Sequence, residues 1–226
     1  MGGMLAVMRS PETSAGSAED LEAGAGSAKA SAGSPEARPD RSRPYHHGDL
    51  RAVLISAALA SIAEHGTANL SLRELARRAG VSHAAPAHHF GDKTGLLTAV
   101  AAEGYELLAE ATNAAWQRTG SFLEVGVAYV RFATAHPAHF EVMFRPDLYR
   151  GDDPALAAAR ERARAALDTP AGRTAEAIGG DTGTVGLAAW ALMHGLATLW
   201  LTGNVTAPDP EPLARAVGAY LFSTAR

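Results

Sequence analysis

Residues 71–93 constrain the fold of this chain more than any other segment, because they encode two short helices separated by a glycine. Ser71 and Glu74 form an S-x-x-E capping box, which predicts where the first helix begins. Gly80 ends that helix, and Ser82 is the predicted N-cap of the second. The apolar stripe of the first helix, with spacing i, i+3, i+4 and i+7, comprises Leu72, Leu75, Ala76 and Ala79. Two helices joined in this way form a helix-turn-helix, whose second helix enters the major groove of DNA.

The distribution of charge along the chain agrees with contact to DNA. The chain as a whole is acidic, with a net charge of −4. Residues 41–95, however, hold seven basic and four acidic residues, together with six of the nine histidines. The segment with the helix-turn-helix therefore attracts phosphate, while residues 1–40 and 96–226 are net acidic. The absence of cysteine excludes disulfides and thiolate metal sites, and abundant alanine with few aromatic residues predicts an all-α protein.

The residues that follow the helix-turn-helix carry a family resemblance. They read His89, Phe90, Gly91, Asp92 and Lys93, and the pair Leu96 and Leu97 comes next. On these residues the chain, over residues 45–101, resembles the TetR family of bacterial transcriptional repressors. The resemblance implies a three-helix DNA-binding domain followed by a helical domain. The family pattern has an aromatic residue two positions before the His-Phe pair, and this chain has Ala87 there, which leaves the operator sequence open.

The composition and the resemblance predict that the chain is divided into three segments. Residues 1–42 are a predicted disordered tail, because small and polar residues dominate and almost no bulky apolar residue follows Met8. The short apolar start lacks a preceding positive charge, so we expect no signal peptide. Residues 43–95 are the predicted helix-turn-helix domain, and residues 96–226 the predicted ligand-binding and dimerisation domain. The sequence predicts helices at residues 50–65, with Asp49 as N-cap, and at 93–117, 122–135, 138–144, 155–167, 183–203 and 211–222.

The predicted DNA contacts lie on the arm before the first helix and in the helix-turn-helix. Arg43 belongs to a short basic arm, which in related folds contacts phosphate or the minor groove. His83 and His88 offer hydrogen bonds to base edges, whereas the alanines beside them offer only apolar contact. Lys93 lies at the N-terminus of the next helix, where the helix dipole also favours an anion. The full predicted set is Arg43, Ser71, Arg73, Ser82, His83, Ala84, Ala85, His88, His89 and Lys93.

The aromatic residues of the C-terminal part gather on a few of the predicted helices. The motif of Trp190, His194 and Gly195, and the run at residues 131–144, resemble the WHG type of TetR C-terminal domain. The predicted pocket residues are Trp116, Phe122, Tyr129, Phe132, Phe140, Met143, Phe144, Trp190 and His194. This composition predicts an apolar pocket with few polar groups, for a small lipophilic ligand of low charge. For each residue taken alone, a place in a plain hydrophobic core is the alternative.

The segment at residues 183–203 carries no charged side chain, and two structures explain this pattern. It is either a transmembrane helix or a helix buried by its own domain and by a partner subunit. His194 near its middle, its internal glycines and the lack of a basic flank favour the second. The resemblance implies that the last two long helices of each subunit form a four-helix dimer interface. The predicted interface residues are Leu187, Leu199, Trp200, Leu213, Val217, Tyr220 and Leu221.

Together these features predict a cytoplasmic, homodimeric repressor that binds a palindromic operator in double-stranded DNA and responds to a ligand. We expect no enzymatic activity, no cofactor and no metal site. The adjacent His88 and His89 point about 100° apart on a helix and lack a carboxylate at metal-site spacing.

Two alternatives stay open at this point. One is a small helical enzyme that uses His136, His139 and His194 as acid and base groups, although no nucleophile or carboxylate pair accompanies them. The other is a protein–protein adaptor that has kept a degenerate helix-turn-helix. Salt-sensitive, sequence-selective DNA binding would distinguish the repressor from both.

Overall fold

The computed structural model describes the backbone of residues 47–222 and the side chains of residues 50–220. This part of the chain is built from helices, which confirms the predicted all-α class. They are α1 (His47–His65), α2 (Leu72–Arg78), α3 (Ala85–Phe90), α4 (Lys93–Thr119), α5 (Phe122–Ala135), α6 (Pro137–Met143), α7 (Pro154–Ile178), α8 (Thr182–Leu201) and α9 (Pro210–Phe222). Two short 3-10 turns, Thr67–Asn69 and Pro146–Leu148, precede α2 and α7. The tail predicted at residues 1–42 lies outside the described residues.

The first three helices share one apolar core with the start of α4. Its buried side chains include Leu54, Ile55, Ile62, Leu75, Phe90, Leu96 and Leu97. The helical spacing of Leu50, Val53 and Leu54 predicts that Val53 lies on the buried face of α1, but Val53 is 37% exposed, whereas Ile55 is 1% exposed. The helix also begins at His47, so Asp49 lies inside it and the predicted N-cap is wrong.

The central element of the C-terminal part is α4, which is 27 residues long. It packs mainly against α7 and also against α5 and α6, while α9 packs on α5 and α8 packs on both α5 and α7. Gly104 allows the close approach of α6, because a Cβ at this position would lie 2.5 Å from Met143 Sδ. The hydroxyls of Tyr105 and Tyr149 both donate to the carbonyl oxygen of Met143 at 3.0 Å. The bond from Tyr105 holds the end of α6 against α4, and the bond from Tyr149 holds it against the loop before α7.

The predicted end of α7 at Leu167 is wrong, because the helix continues to Ile178. It passes through Pro170, which has no N–H and leaves the carbonyl four residues earlier without its helical donor. Ala171 and Ala175, beyond the proline, are buried against the neighbouring helices. This tertiary packing offsets the missing hydrogen bond, and sequence periodicity alone does not reveal it.

Among the described residues, α8 is the helix whose length and composition would allow it to cross a membrane. About a third of its most apolar stretch (33%) is buried within the chain itself. Ala189, Met193 and Ala197 form that buried face, while Leu187 and Leu199 on another face are 37% and 46% exposed. A helix with one face in the core of its own chain and a second apolar face exposed suits contact with another subunit.

Candidate functional site

The recognition helix α3 begins two residues later than the sequence predicted. Its N-cap is Ala84, and Ser82 instead accepts a backbone hydrogen bond from Ala85 at 3.0 Å. A helix capped by Ser82 would need the N–H of residue 86 for its first helical hydrogen bond, and Pro86 has none. Pro86 therefore occupies the first turn of the shorter helix, where a proline costs little.

The predicted base-reading residues lie on the solvent side of this unit. His83, Ala84 and His88 are exposed, whereas Ala85 and His89 are partly buried. The opposite side of α3, with Pro86 and Phe90, is buried in the core. Two imidazoles are therefore exposed, His83 in the turn before α3 and His88 on α3, and the assignment of these residues to base contacts stays a prediction. Arg43 lies outside the described residues.

Basic and hydroxyl side chains near the start of α2 and α4 flank the recognition helix. Arg73 is exposed and has no hydrogen-bond or ion-pair partner in the described part of the chain. Lys93 Nζ donates to the carbonyl oxygen of Ala68 at 2.9 Å, which leaves two of its three hydrogens for other acceptors. The hydroxyl of Ser71 makes no capping hydrogen bond, although Ser71 is the N-cap of α2 as predicted.

The capping box predicted at Ser71 and Glu74 does not form, because Glu74 binds arginines instead. Arg77 donates to Glu74 through two nitrogens, at 2.6 and 2.8 Å, and Arg78 bridges Glu74 and Glu64. The hydrogen bonds from Arg77, followed by those from Arg78, lower the pKa of Glu74 to about 2. Both arginines are thus paired with carboxylates, whereas Arg73 is the cation of α2 that has no partner among residues 50–220.

A cavity that is partly open to solvent lies between α5, α7 and α8. Its lining residues are Phe122, Val125, Gly126, Tyr129, Leu167, Gly186, Ala189, Trp190 and Met193. Sequence reasoning predicted Phe122, Tyr129 and Trp190 and missed the other six. Those six are small or aliphatic, and only the packing of three helices reveals that they face one space. Trp116 is partly buried and packs against the apolar cluster that includes Phe122, Val125 and Ala189.

The remaining predicted pocket residues do not line the cavity. Phe132, Phe140 and Met143 are buried in the main core, and Phe144 packs partly buried against it. His194 stands beside the cavity, with its ring stacked on Phe140 at a centroid distance of 5.1 Å and against Phe144 at 4.5 Å. Phe140 and Phe144 thus pack against His194 and do not line the cavity.

Three polar side chains form a hydrogen-bonded group at the wall of the cavity. Trp190 Nε1 donates to Tyr129 Oη at 3.3 Å, and His194 Nδ1 lies 2.9 Å from the same oxygen. Burial raises the pKa of Tyr129 above its ordinary value and lowers the pKa of His194. All three side chains are therefore neutral at pH 7.

Two contacts join the C-terminal part to the helix-turn-helix. Thr67, in the turn before α2, donates through its hydroxyl to Glu141 of α6 at 3.1 Å. Arg150, in the loop after α6, donates to Asp92 at 2.7 Å. Asp92 is also the N-cap of α4 and accepts from the backbone N–H of Gly95 at 2.8 Å. That backbone bond and the nearby Arg150 lower the pKa of Asp92.

The residues predicted for a dimer interface lie on or near an exposed apolar surface of α8 and α9. Leu187, Leu199 and Tyr220 are 37%, 46% and 90% exposed. Trp200, Leu213 and Val217 are partly buried within the chain, and the side chain of Leu221 is outside the described range. A Cβ added at Gly195 would meet no atom within 4 Å. The surface is thus apolar, open and unobstructed around Gly195.

The histidines of the enzyme alternative do not share one site. His139 is 4% exposed, lies 3.2 Å from Glu103 and contacts the ring of His136. The ring contacts of His194 are instead with Tyr129 and the aromatic residues around it. In the described part of the chain, no three histidine or carboxylate side chains group closely enough to hold a metal ion. Each imidazole is a packed, partnered side chain.

Comparison with known proteins places both halves of the chain in one family. Residues 54–100 match the family model for bacterial regulatory proteins of the tetR family. Residues 122–219 match the model for the tetracyclin repressor-like C-terminal domain. The chain belongs to the TetR family. The first match runs from α1 into α4 and contains the helix-turn-helix, and the second runs from α5 into α9 and contains the cavity. The WHG type of C-terminal domain and the domain boundaries at residues 43–95 and 96–226 stay predictions.

Similar proteins agree with the TetR assignment. BetI of Agrobacterium fabrum, an HTH-type transcriptional regulator, is 47% identical over 47 residues, which are 21% of this chain and 23% of BetI. The chain thus matches less than a quarter of that curated relative. A protein of unknown function from Rhodococcus sp. RHA1 is 33% identical with a TM-score of 0.70, over 82% of this chain and 100% of its own.

Two more distant structures share the fold. PfmR of Thermus thermophilus, a TetR family transcriptional regulator, is 22% identical with a TM-score of 0.62, over 75% of this chain and 97% of its own. NalD of Pseudomonas aeruginosa, the secondary repressor of a multidrug efflux pump, is 21% identical with a TM-score of 0.54, over 78% of this chain and 95% of its own. The helical order of this TetR-family chain is therefore that of known regulators.

Proposed function

We propose that this protein is a cytoplasmic transcriptional repressor that binds a palindromic operator as a homodimer and responds to a small lipophilic ligand. The observation that carries the proposal is the recognition unit. It exposes His83 and His88 and also Arg73, a cation without a partner in the described chain. Base edges and phosphates are the groups that such a surface recognises.

The test of this function is selection of fragments from genomic DNA by the purified full-length protein. We expect recovery of a short palindromic sequence, because two identical recognition helices related by a two-fold axis read two equal half-sites. Binding to this sequence should weaken steeply with salt. Recovery of no common sequence, or binding that ignores salt, would refute the proposal.

The phosphate contacts give a sharper prediction. Arg73→Ala should weaken binding to all DNA sequences alike, and the salt slope should fall by about one unit for each phosphate that is no longer bound in a half-site. Lys93→Ala should do the same and should also remove the hydrogen bond to Ala68. Arg77→Ala is the matched control, because Arg77 is already paired with Glu74. Its substitution should therefore change the salt slope less. An unchanged salt slope in Arg73→Ala would remove that residue from the interface.

His83→Ala and His88→Ala should instead change which operator is preferred. Removal of a hydrogen bond to a base costs about 1–3 kcal/mol at the base pair concerned and little elsewhere. Competition between the selected operator and its single-base variants measures this effect. A uniform decrease of affinity for every operator variant would mean that the histidine contacts phosphate.

The cavity supports the proposed response to a ligand. The cavity lining is apolar except for the neutral side chains of Tyr129 and Trp190, and such a lining suits a small lipophilic molecule. Helix α6, whose Phe140 and Phe144 contact His194, also bears Glu141, which binds Thr67 in front of the helix-turn-helix. A change at the cavity can therefore reach the DNA-binding domain through α6 as well as through α4.

Coupling of this kind is reciprocal, so it predicts an effect of DNA on the ligand. A compound that raises the melting temperature of the free protein should bind less tightly when the operator is present. The factor should equal the one by which the compound weakens operator binding. Calorimetric titration of the compound with and without operator, and of the operator with and without the compound, measures the two factors. Equal affinities in the two titrations would show that the site of that compound is not the regulatory site.

A further inference from the structure

The polar group at the wall of the cavity has only one oxygen. Tyr129 and Trp190 are the described lining residues whose side chains carry oxygen or nitrogen, and the others are apolar. Trp190 donates to Tyr129 Oη, and His194 Nδ1 lies within hydrogen-bond distance of that same oxygen. The hydroxyl of Tyr129 therefore makes both hydrogen bonds of the group, one with each neighbour.

The count of available hydrogens assigns the tautomer of His194. Tyr129 is 4% exposed, and within the described chain its hydroxyl is hydrogen-bonded to Trp190 and His194 alone. The indole of Trp190 can only donate, so the hydroxyl hydrogen has one acceptor available, which is Nδ1 of His194. With a proton on Nδ1, that hydroxyl hydrogen would have no acceptor among the described residues. The arrangement therefore favours the tautomer with the proton on Nε2, in which Tyr129 donates to Nδ1.

This arrangement decides what the wall can offer to a ligand. The one N–H of Trp190 is used on Tyr129, and the one O–H of Tyr129 is used on His194. The oxygen of Tyr129 keeps a lone pair, because it accepts a single hydrogen bond, from Trp190. The polar group is therefore an acceptor without a free donor on the cavity side.

We propose that the cavity selects lipophilic ligands that carry a hydrogen-bond donor, such as an alcohol or a phenol, and that His194 sets this preference by holding the hydroxyl hydrogen of Tyr129. The inference rests on the proposed ligand-sensing function of this cavity. His194 is a positioning residue here, because it acts on the ligand through Tyr129. A charged ligand is disfavoured, since the lining supplies no counter-charge to replace its hydration.

Three neutral probes of similar size test the proposal. 2-Naphthol carries a donor, 2-methoxynaphthalene carries only an acceptor, and 2-ethylnaphthalene carries neither. Their dissociation constants are measured by fluorescence titration of the full-length protein. We expect the native protein to bind 2-naphthol about three- to tenfold more tightly than 2-methoxynaphthalene, the usual effect of one hydrogen bond. The methoxy and ethyl probes should bind alike, because no donor is free to reach the methoxy oxygen.

His194→Phe is the decisive variant, because it keeps an aromatic ring against Phe140 and Phe144 and removes the acceptor for the Tyr129 hydrogen. The freed hydroxyl can then donate, so 2-methoxynaphthalene should gain over 2-ethylnaphthalene and the preference for 2-naphthol should shrink or vanish. Tyr129→Phe is the second variant. It removes the acceptor and frees the N–H of Trp190, so 2-naphthol and 2-methoxynaphthalene should bind alike and both should bind at least as tightly as 2-ethylnaphthalene. Melting curves and sedimentation of each variant confirm that fold and assembly are kept.

Several results would overturn the proposal. Equal binding of 2-naphthol and 2-methoxynaphthalene by the native protein would leave the cavity intact as a ligand site and refute the donor preference alone. An unchanged ratio of the two in His194→Phe would refute the role of His194 in setting the preference. Failure of all three probes to bind the native protein would refute ligand sensing at this cavity, and the preference with it.

Discussion

Replacing Leu199 by glutamate is expected to convert the dimer into monomers. Leu199 is 46% exposed on α8 in the single chain, beside the open surface around Gly195. In the proposed dimer this surface is covered by a second copy, so the variant would place two carboxylates in a dry interface. At about 3 kcal/mol for each unpaired charge, the dissociation constant should rise about ten-thousandfold. Sedimentation at micromolar concentration should then show a dimer for the native protein and a monomer for the variant.

Val53→Glu is the matched control for this experiment. Val53 is likewise an apolar side chain that is partly exposed, at 37%, but it lies on α1 in the DNA-binding domain. The same charge introduced there should leave the dimer unchanged. A native protein that is already monomeric, or a Leu199→Glu variant that stays dimeric, would move the interface away from α8.

Gly95→Ala is expected to damage the junction between the recognition helix and α4. A Cβ at residue 95 would lie 2.0 Å from the backbone oxygen of Phe90 and 2.7 Å from Nη1 of Arg150. The Phe90 oxygen belongs to the last residue of α3, so the backbone itself must move. Overpacking of this kind costs about 3 kcal/mol, which corresponds to a fall in melting temperature of about 6–12 °C. Operator affinity should fall as well, because α3 is displaced relative to α4.

The same substitution at Gly172 provides the control. Gly172 lies within α7, and the nearest atoms to an added Cβ belong to Thr182 at 3.9 Å, an ordinary contact distance. Alanine is the better helix former by up to about 1 kcal/mol, so Gly172→Ala should raise the melting temperature slightly. Equal melting temperatures for Gly95→Ala and the native protein would show that the junction adjusts without cost.

The recognition unit shows how far local sequence signals reach. Periodicity and Gly80 placed two helices correctly, and α2 does begin after Ser71. The start of α3 was missed because a good N-cap residue, Ser82, competed with a proline four positions later. The proline decides the outcome, since it cannot supply the hydrogen bond that a helix capped at Ser82 requires. Likewise the capping box lost to the ion pairs of Glu74 with Arg77 and Arg78, which lie three and four residues later on the same helix.

The cavity was only partly predictable, for a different physical reason. Composition identified Tyr129 and Trp190, because large side chains stand out in a chain with 6% aromatic residues. The space itself exists where side chains are small, at Gly126, Gly186 and Ala189 on two facing helices. Small residues at these positions do not predict a cavity from the sequence of one helix, because the size of the space depends on the side chains of the facing helix. The continuation of α7 beyond Pro170 likewise depends on packing against neighbouring helices.

The unbroken length of α4 has a geometric consequence for the operator. At a rise of 1.5 Å per residue its 27 residues span about 40 Å, from the recognition unit to the region of Trp116 at the edge of the cavity. A rotation of α4 by about 5° around its C-terminal end displaces Lys93 by about 3.5 Å, close to the 3.4 Å rise between base pairs. In a dimer with a two-fold axis the two subunits move in opposite senses, so the distance between their recognition helices changes by up to twice that amount. A small tilt of α4 is therefore enough to prevent the two recognition helices from matching the helical repeat of the DNA.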